Sequence, residues 1–352
     1  MRLQTVYEAG GSPQSYKMKK LALLNDTRTQ FHHGCELVLK QIEKKLYERN
    51  VSIHSVSMEG TEWDKNTTFK TLASECSGIV VNGEGTIHHG RQAGKKLLQV
   101  ANYAEEIGIP CFLINTTYQS NPVEYGNFLK KFKRIYVRET KSREELEKIK
   151  ICSVVVPDIT LSYEFNHSND RNGFGVSDSA MTPLSEVLYN YCKHYHGQFM
   201  PVIRSRKNDG KVDFVESLRH VKFKVNNFIL KIKNDKNYLN IRNFYISRSI
   251  DHYLSDISKK EYLISGRFHV TCFCLLTETP FFALEGNSHK MQSMLEDIGV
   301  DLRRGINIEN VEEIIRSNDF KFSEKETKLI KEYKRKARDS INNMFDVIAN
   351  DL

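Results

Sequence analysis

The chain has 352 residues, of which 39% are hydrophobic and 27% charged, with a formal net charge of +8. At roughly 100–200 residues per domain, that length implies two domains rather than one. No apolar run is long enough to span a bilayer. Met1 to Ser15 lacks the apolar core of a signal peptide, so a cytoplasmic location is expected. The seven cysteines, Cys35, Cys76, Cys111, Cys152, Cys192, Cys272 and Cys274, are odd in number and form no CxxC pair. A disulfide framework and a structural zinc site are therefore not expected. The positive excess gathers in Lys207 to Lys233 and Lys321 to Arg338. No aromatic stripe interleaves those basic residues, which argues against nucleic acid as a partner. Solvated helix faces account for both patches. An anionic small molecule or an anionic membrane surface stays open as the reason for the charge.

In chain order, Lys20 to Asn25 reads as a short buried strand and Thr27 to Gly34 as a polar loop. Glu36 to Arg49 places Leu37, Val38, Ile42 and Leu46 at helical spacing. Ser52 to Ser57 alternates like a strand. Gly78 to Val81 is a short apolar strand running into a glycine-rich loop. Arg91 to Ile107 is a helix closed by Gly108. Strands at Pro110 to Ile114, Arg134 to Val137 and Ser153 to Val156 follow, with a helix at Lys141 to Lys148. Glu164 to Asn172 is polar and without period, and reads as a linker. A second series then begins: strand Gly173 to Val176, helix Leu184 to His194, strand Met200 to Arg204 and helix Phe214 to Lys231. After a stretch without clear pattern come helix Ile250 to Ile257, strand Tyr262 to Ser265 and helix Phe268 to Thr277. Strand Pro280 to Leu284, helix His289 to Ile298 with Gly299 behind it, helix Val311 to Arg316 and a terminal helix Ser323 to Ala349 complete the chain.

Strands alternating with helices imply mostly parallel, doubly wound sheets. The expected fold class is α/β: two Rossmann-like domains facing each other across a cleft. They span residues 1–165 and 172–322, followed by a C-terminal helix at 323–352. In such sheets ligands bind beyond the carboxyl ends of the strands. The informative residues are those that directly follow each strand.

In the first half, His32-His33-Gly34 opens a helix, where backbone N–H groups suit an anion. Surface histidines on a loop are an equal reading. The loop Asn82-Gly83-Glu84-Gly85-Thr86-Ile87-His88-His89-Gly90 has glycines that allow close approach of a ligand. Glu84 and His88 are acid, base or hydroxyl-binding candidates. The loop has neither dinucleotide-fingerprint spacing nor a P-loop ending. Asn115 closes the Pro110 to Ile114 strand and belongs to the same rim. Arg138 directly follows a buried strand, where ligands bind, but taken alone a helix-start salt bridge to Glu139 or Glu144 explains it better. Asp158 binds a hydroxyl or caps the next turn, capping being the commoner fate.

The sharpest feature is Leu263-Ile264-Ser265-Gly266-Arg267-Phe268-His269. Arg267 and His269 stand in the first turn of an apolar helix, where positive charge opposes the helix dipole. An anion between them would remove that conflict. Lys290 stands at the start of the next helix. Arg267, His269 and Lys290 come from adjacent βα loops and can converge on one anion.

This order of motifs resembles the polysaccharide pyruvyl transferase family. The resemblance runs through Val81 to Thr86, Val137 to Ser142, Pro157 to Leu161, Ser265-Gly266-Arg267-Phe268-His269 and Pro280 to Lys290. It implies a two-domain architecture like that of the GT-B glycosyltransferases. It implies transfer of pyruvate from phosphoenolpyruvate, a co-substrate, onto a sugar diol as a ketal, in surface-polysaccharide biosynthesis. Arg138 and Arg267, with Ser265, would hold the anionic donor, and Lys290 would complete the pocket. His269 would protonate the donor's methylene carbon or bind its phosphate. Glu84 or Asp158 would accept a hydroxyl proton. His33, Gly83, Gly85, Thr86, His88 and Asn115 would line the acceptor side. No cofactor or metal is implied. The acceptor would be a saccharide or lipid-linked saccharide, with peripheral attachment at the inner membrane face through the basic terminal helix. Phe268 replaces the family's usual leucine, Glu84 a frequent glycine, and His33-Gly34-Cys35 a frequent Gly-Asp. The last two lie on the acceptor half. A glycosyltransferase of the same shape, using a nucleotide-activated sugar, is the alternative.

Overall fold

A computed structural model describes residues 18–166, 170–203, 247, 249–317 and 319–352. The expected helix Phe214 to Lys231, the basic patch Lys207 to Lys233 and the N-terminal stretch to Ser15 lie outside the described residues.

Six parallel strands make the first sheet: β1 (Lys19–Asp26), β2 (Val51–Met58), β3 (Gly78–Glu84), β4 (Cys111–Thr116), β5 (Arg134–Val137) and β6 (Val154–Val155), in the order β2-β1-β3-β4-β5-β6. The central strands are buried on both faces, so they are continuous apolar runs. Their two faces still obey a period of two. Leu21, Leu23 and Val80 join one apolar cluster, while Ala22, Leu24, Ile79 and Val81 join another. The first cluster takes in Leu37, Val38 and Ile42 of α1 (His33–Tyr47), and the second Leu97, Leu98 and Ala101 of α3 (Gln92–Glu106). The short α2 (Thr67–Ala73) and α4 (Gly126–Leu129), with α5 (Thr140–Lys148), complete this half.

The second sheet is also parallel: β7 (Phe174–Ser179), β8 (Gln198–Phe199), β9 (Tyr262–Gly266), β10 (Phe281–Leu284) and β11 (Gly305–Ile306), in the order β11-β10-β9-β7-β8. Around it lie α6 (Thr182–His194), α7 (Ile250–Ser258), α8 (Phe268–Thr277), α9 (Lys290–Ile298) and α10 (Val311–Ser317). The expected strand from Met200 is instead the two residues of β8 just before it. Both sheets share one winding, with the second strand outside the first and the third on its other side. The order therefore reverses between β1 and β3, and again between β7 and β9. Those two crevices are where doubly wound sheets bind ligands.

The last helix, α11 (Glu324–Asp351), returns to the first half. Its Ile341, Met344, Phe345 and Ile348 enter the cluster shared with α1, α7 and α8, so one core runs through both halves. Among the described residues, no helix is long and apolar enough to cross a membrane.

The start of α11 is fixed by a buried ion pair. Arg304 is fully buried. Its guanidinium donates to both Glu326 carboxylate oxygens (2.9 and 3.1 Å), Phe320 O (2.8 Å) and Lys321 O (2.7 Å). It also lies over the Phe282 and Phe322 rings. Burial alone would raise the Glu326 carboxyl, but the Arg304 and Ser323 hydrogen bonds outweigh it and hold it at about 2. The pair's stabilisation is therefore complete above the ordinary value of 4.5 and fades as pH falls towards 2. Glu326→Ala leaves a buried guanidinium uncompensated. It should cost about 3–5 kcal/mol at neutral pH, read from the urea midpoint, and progressively less as the pH is lowered.

Candidate functional site

The carboxyl ends of the two sheets face each other, and the halves touch through backbone as well as side chains. His33 N donates to Val202 O (3.0 Å), beside a β-bridge between His32 and Ile203. The first turn of α5 is capped from the other half: Thr140 N donates to Asp297 Oδ2 (2.9 Å) and Lys141 N to Ser293 Oγ (3.1 Å).

Three expected residues meet at one carboxylate. Arg138, directly after β5, is 2% exposed and pairs through Nη1 with Asp158 Oδ2 at 3.1 Å. Its partner is therefore neither Glu139 nor Glu144. His269, from the other half, brings Nε2 to 3.5 Å from the same oxygen, an ion-pair distance without hydrogen-bond alignment. Asp158 Oδ1 accepts from Thr160 N (3.0 Å) and Thr160 Oγ1 (2.6 Å), so the residue is a cap as well. Burial would push the Asp158 carboxyl up, but His269 and Arg138 outweigh it and hold it far below the usual carboxylate range. A carboxylate held ionised beside a fixed guanidinium is a poor proton acceptor. Asp158 is thereby moved from the acceptor rim, and from the base role, to the support of Arg138 and His269. Arg138 Nη2 donates to Thr117 Oγ1 (2.8 Å), and its guanidinium lies 4.5 Å from the centre of the Phe268 ring. Its buried Nε has no partner among the described residues.

Arg267 caps α8 rather than standing in its first turn, and its charge is already met. Its Nε and Nη2 donate to Asp178 Oδ2 at 2.9 and 2.5 Å. The conflict with the helix dipole thus has a built-in answer, which the sequence argument lacked. Asp178 lies near the end of β7, so the same strand-end rule points to it. Ser265 is not presented to a donor. It is fully buried, donates to Arg267 O (2.8 Å) and accepts from Thr271 Oγ1 (3.0 Å). It holds the turn. Gly266 is required there, because a Cβ would lie 2.6 Å from Asp178 O.

Lys290 opens α9. Its Nζ donates to Asn287 Oδ1 (3.2 Å) and Ser288 Oγ (3.1 Å), and no carboxylate among the described residues pairs with it. Burial first, then Arg138, lowers its ammonium to about 8. A Cβ on Gly85 would stand 3.6 Å from Lys290 Nζ and 3.9 Å from Arg138 Nη2. Cations of both halves therefore converge above Gly85. Thr86 N closes that turn on Gly83 O (3.1 Å). His88 is buried beside it, with Nδ1 2.7 Å from His89 Nδ1 and Nε2 unpartnered among the described residues. Burial, Arg91 and Lys290 push the His88 imidazole down to about 4.

The acceptor-side expectations are redistributed. His33 is fully buried and stacks on Tyr253 at 4.7 Å, so it does not line the cleft. The half-buried His32 does, its ring edge-on to His269 at 5.3 Å. The first turn of α1 offers no free N–H pair, because His32 Nδ1 accepts from Gly34 N (2.9 Å) and Cys35 N (3.4 Å). Gly83 serves packing rather than ligand approach: a Cβ there would lie 2.3 Å from Thr116 Oγ1. Glu84 is 6% exposed. It accepts from Thr27 Oγ1 (2.6 Å) and Asn82 Nδ2 (3.0 Å) on Oε1, and from Cys35 Sγ (3.5 Å) on Oε2. Asn115 is buried, donating to Asn82 Oδ1 (3.3 Å) and accepting from Ile159 N (3.2 Å). It stiffens the strand ends and does not line the cleft.

The sequence profile for polysaccharide pyruvyl transferase matches residues 32–288. The chain belongs to the polysaccharide pyruvyl transferase family. No curated protein matches it in sequence. Solved structures align along nearly its whole length. An MnaA–UDP structure from S. aureus has a TM-score of 0.53 at 11% identity, covering 92% of this chain and 94% of that one. A putative UDP-N-acetylglucosamine 2-epimerase from Listeria monocytogenes also has a TM-score of 0.53, at 10% identity, with coverages of 94% and 96%. A UDP-GlcNAc 2-epimerase from Neisseria meningitidis has 0.50 at 12%, with 95% and 99%. At such identities the likeness shows the fold, the two-domain GT-B type.

As a pyruvyl transferase family member, the chain is a transferase. One metal-ligand-like group appears among its described residues: His32, Cys35 and His269 bring ligand atoms within 4.8 Å of one another. No such cluster is evident in the sequence. The group does not fit a cation as it stands. The Nδ1 lone pair of His32 already accepts two backbone N–H groups. The Cys35 thiol donates to Glu84 and is pushed far up by burial and that carboxylate.

Gly34 is what lets His269 reach its seat. A Cβ at position 34 would lie 2.3–2.4 Å from atoms of the His269 ring. Gly34→Ala should displace that ring and lower turnover by about 100-fold, the scale of loss that a shift of about 1 Å in a site can cause. Circular dichroism of the same variant should show a folded protein.

Proposed function

We propose that this transferase takes phosphoenolpyruvate as donor and forms a pyruvate ketal on two hydroxyls of a saccharide. The observation that supports it best is the convergence of Lys290 Nζ and Arg138 Nη2 above Gly85, with Lys290 lacking a carboxylate partner among the described residues. Phosphoenolpyruvate carries about three negative charges on a few atoms, and such a ligand needs fixed cations rather than solvent. The uncompensated Lys290 supplies charge from the second half, and Arg138 from the first.

His269 gives its proton to the methylene carbon, which makes the adjacent carbon electrophilic. A sugar hydroxyl adds there, and its proton passes to Glu84, which lies at the β1–β3 crevice. The phosphate then leaves, and the second hydroxyl closes the ring. The first hydroxyl proton restores the one His269 gave, and the second departs on phosphate. Asp158 and Asp178 keep His269, Arg138 and Arg267 in place throughout. No step calls on a metal or cofactor. A saccharide of surface-polysaccharide assembly, free or lipid-linked, is the acceptor in this reading. Membrane attachment through Lys321 to Arg338 has weaker support, because Lys331 and Lys334 pair with Glu278, Arg335 with Asp339 and Lys336 with Glu332.

Isothermal titration should show phosphoenolpyruvate binding at neutral pH. Lys290→Ala should weaken it by about 10- to 100-fold, the worth of a hydrogen bond to a charged group. Binding of UDP-, GDP- or CMP-sugars with none of phosphoenolpyruvate would replace this reading by that of a glycosyltransferase.

The ammonium of Lys290, lowered to about 8, must be charged to attract the donor. Donor affinity of the wild type should therefore fall as pH rises through about 8. The Lys290→Ala variant should lack that limb.

A further inference from the structure

We propose that His32 is a further substrate-contacting residue, a neutral imidazole fixed in one tautomer that donates Nε2–H to an anionic oxygen of the donor beside His269. The inference rests on the anionic-donor reading of the site and adds a residue to which the family resemblance assigns no role.

The tautomer follows from the helix start. His32 is the N-cap of α1, with extended backbone (φ −110°, ψ 125°). Its Nδ1 accepts from Gly34 N at 2.9 Å and Cys35 N at 3.4 Å. A nitrogen that accepts two N–H groups carries no proton of its own. The single proton of a neutral imidazole must then be on Nε2. Charging the ring would require a proton on Nδ1, which would break both cap bonds and set a cation at the positive end of α1.

The surroundings oppose charging from every side. Burial, then His269 and Arg267 from the second half, then His33, push the His32 imidazole far below its ordinary value. Cys35, from its own helix, stays a neutral thiol. The backbone bridge to Ile203 closes the remaining side. A neutral imidazole at a helix N-terminus acts as a fixed hydrogen-bond donor rather than an acid.

The ring also faces the right place. It is half-buried, stands edge-on to His269 with ring centres 5.3 Å apart, and no group among the described residues accepts from Nε2. The two histidines thus divide the work. His269, next to the Asp158 carboxylate, is placed to carry and give a proton. His32 holds an oxygen without exchanging its proton.

The test separates the cap from the donor. Asparagine is a good N-cap, so His32→Asn keeps the first turn of α1 but is too short to present the Nε2–H. Its melting temperature should match the wild type, while phosphoenolpyruvate binding by titration, and kcat/KM, should fall about tenfold or more. His32→Ala should lose both stability and binding. Wild-type binding and turnover in His32→Asn would overturn the inference and leave His32 a helix cap alone. Nitrogen NMR of the imidazole gives a second reading that does not depend on any variant. Protonated Nε2 and bare Nδ1 from pH 5 to 8 are expected, and a ring titrating within that range would overturn the inference. If wild type ignores phosphoenolpyruvate but binds a sugar nucleotide, the donor assignment fails by itself, and His32→Asn is scored on that nucleotide by the same two outcomes.

Discussion

One buried carboxylate ties the two halves into a single site. Asp158 follows β6 of the first sheet, and its Oδ2 faces Arg138 of the first half and His269 of the second. Taking a carboxylate out of water costs several kcal/mol, and only close countercharges with further hydrogen bonds return it. Here both conditions are met, by the Arg138 guanidinium and the His269 ring on one oxygen and Thr160 on the other. The arrangement works only while the halves stay together. If α8 moved away, the carboxylate would lose one of its partners. The relative placement of two sheets, which each fold could tolerate in many forms, is thereby narrowed to one at the point where chemistry is needed.

That constraint propagates to the cations. Arg138 spends Nη1 on Asp158 and Nη2 on Thr117, and packs its plane on Phe268, so its Nε edge cannot swing to a second carboxylate. Arg267 is held by Asp178 in the same manner. Positive groups with their own fixed carboxylates do not reorganise when a ligand arrives, which is the condition under which electrostatics lowers a barrier. Lys290 is the exception, tied only to neutral oxygens of Asn287 and Ser288. Of these three cations, only the lysine lacks a carboxylate partner among the described residues. This division could not be read from a count of basic residues, since Arg138, Arg267 and Lys290 look equivalent in the sequence.

The fold was legible because the physics that specifies it is local. Apolar runs such as Gly78 to Val81 and helical spacing such as that of Leu37, Val38, Ile42 and Leu46 need no distant partner to be recognised. The strand-end rule also leads to loops that the structure brings together. It could not say which side chain of a loop faces the cleft. It names His32 and His33 together, but His32 caps α1, and one residue further on the chain turns inward onto Tyr253. The helix was read from Glu36 because Gly34 and Cys35 are weak helix formers; the His32 cap starts it three residues earlier. Ser265 and Gly83 failed for a related reason. Ser265 bonds within its own turn, to Arg267 O and Thr271 Oγ1, and Gly83 makes room for Thr116, so each is taken up by packing. Asp178 follows the expected strand Gly173 to Val176, so the strand-end rule reaches it, but its role shows only with Arg267 opposite.

The ends of β1, β3 and β4 show what holds Glu84 in place. Asn25, Glu84 and Asn115, at or near the ends of β1, β3 and β4, all have positive φ, at 71°, 41° and 52°. Asparagine tolerates that region, but for glutamate it is strained, and such strain persists only when the surroundings over-determine it. The surroundings do so here. Asn25 Nδ2 donates to Asn82 O at 2.6 Å, Asn115 Nδ2 donates to Asn82 Oδ1 at 3.3 Å, and Asn82 Nδ2 donates to Glu84 Oε1 at 3.0 Å. A glycine at position 84 would relax the turn, yet it would remove the carboxylate from the β1–β3 crevice. Glu84 is thus held in a costly backbone conformation by a network that ends on its own side chain. The strain and the network are intelligible together only if the place of that carboxylate is what the strand ends are built to keep.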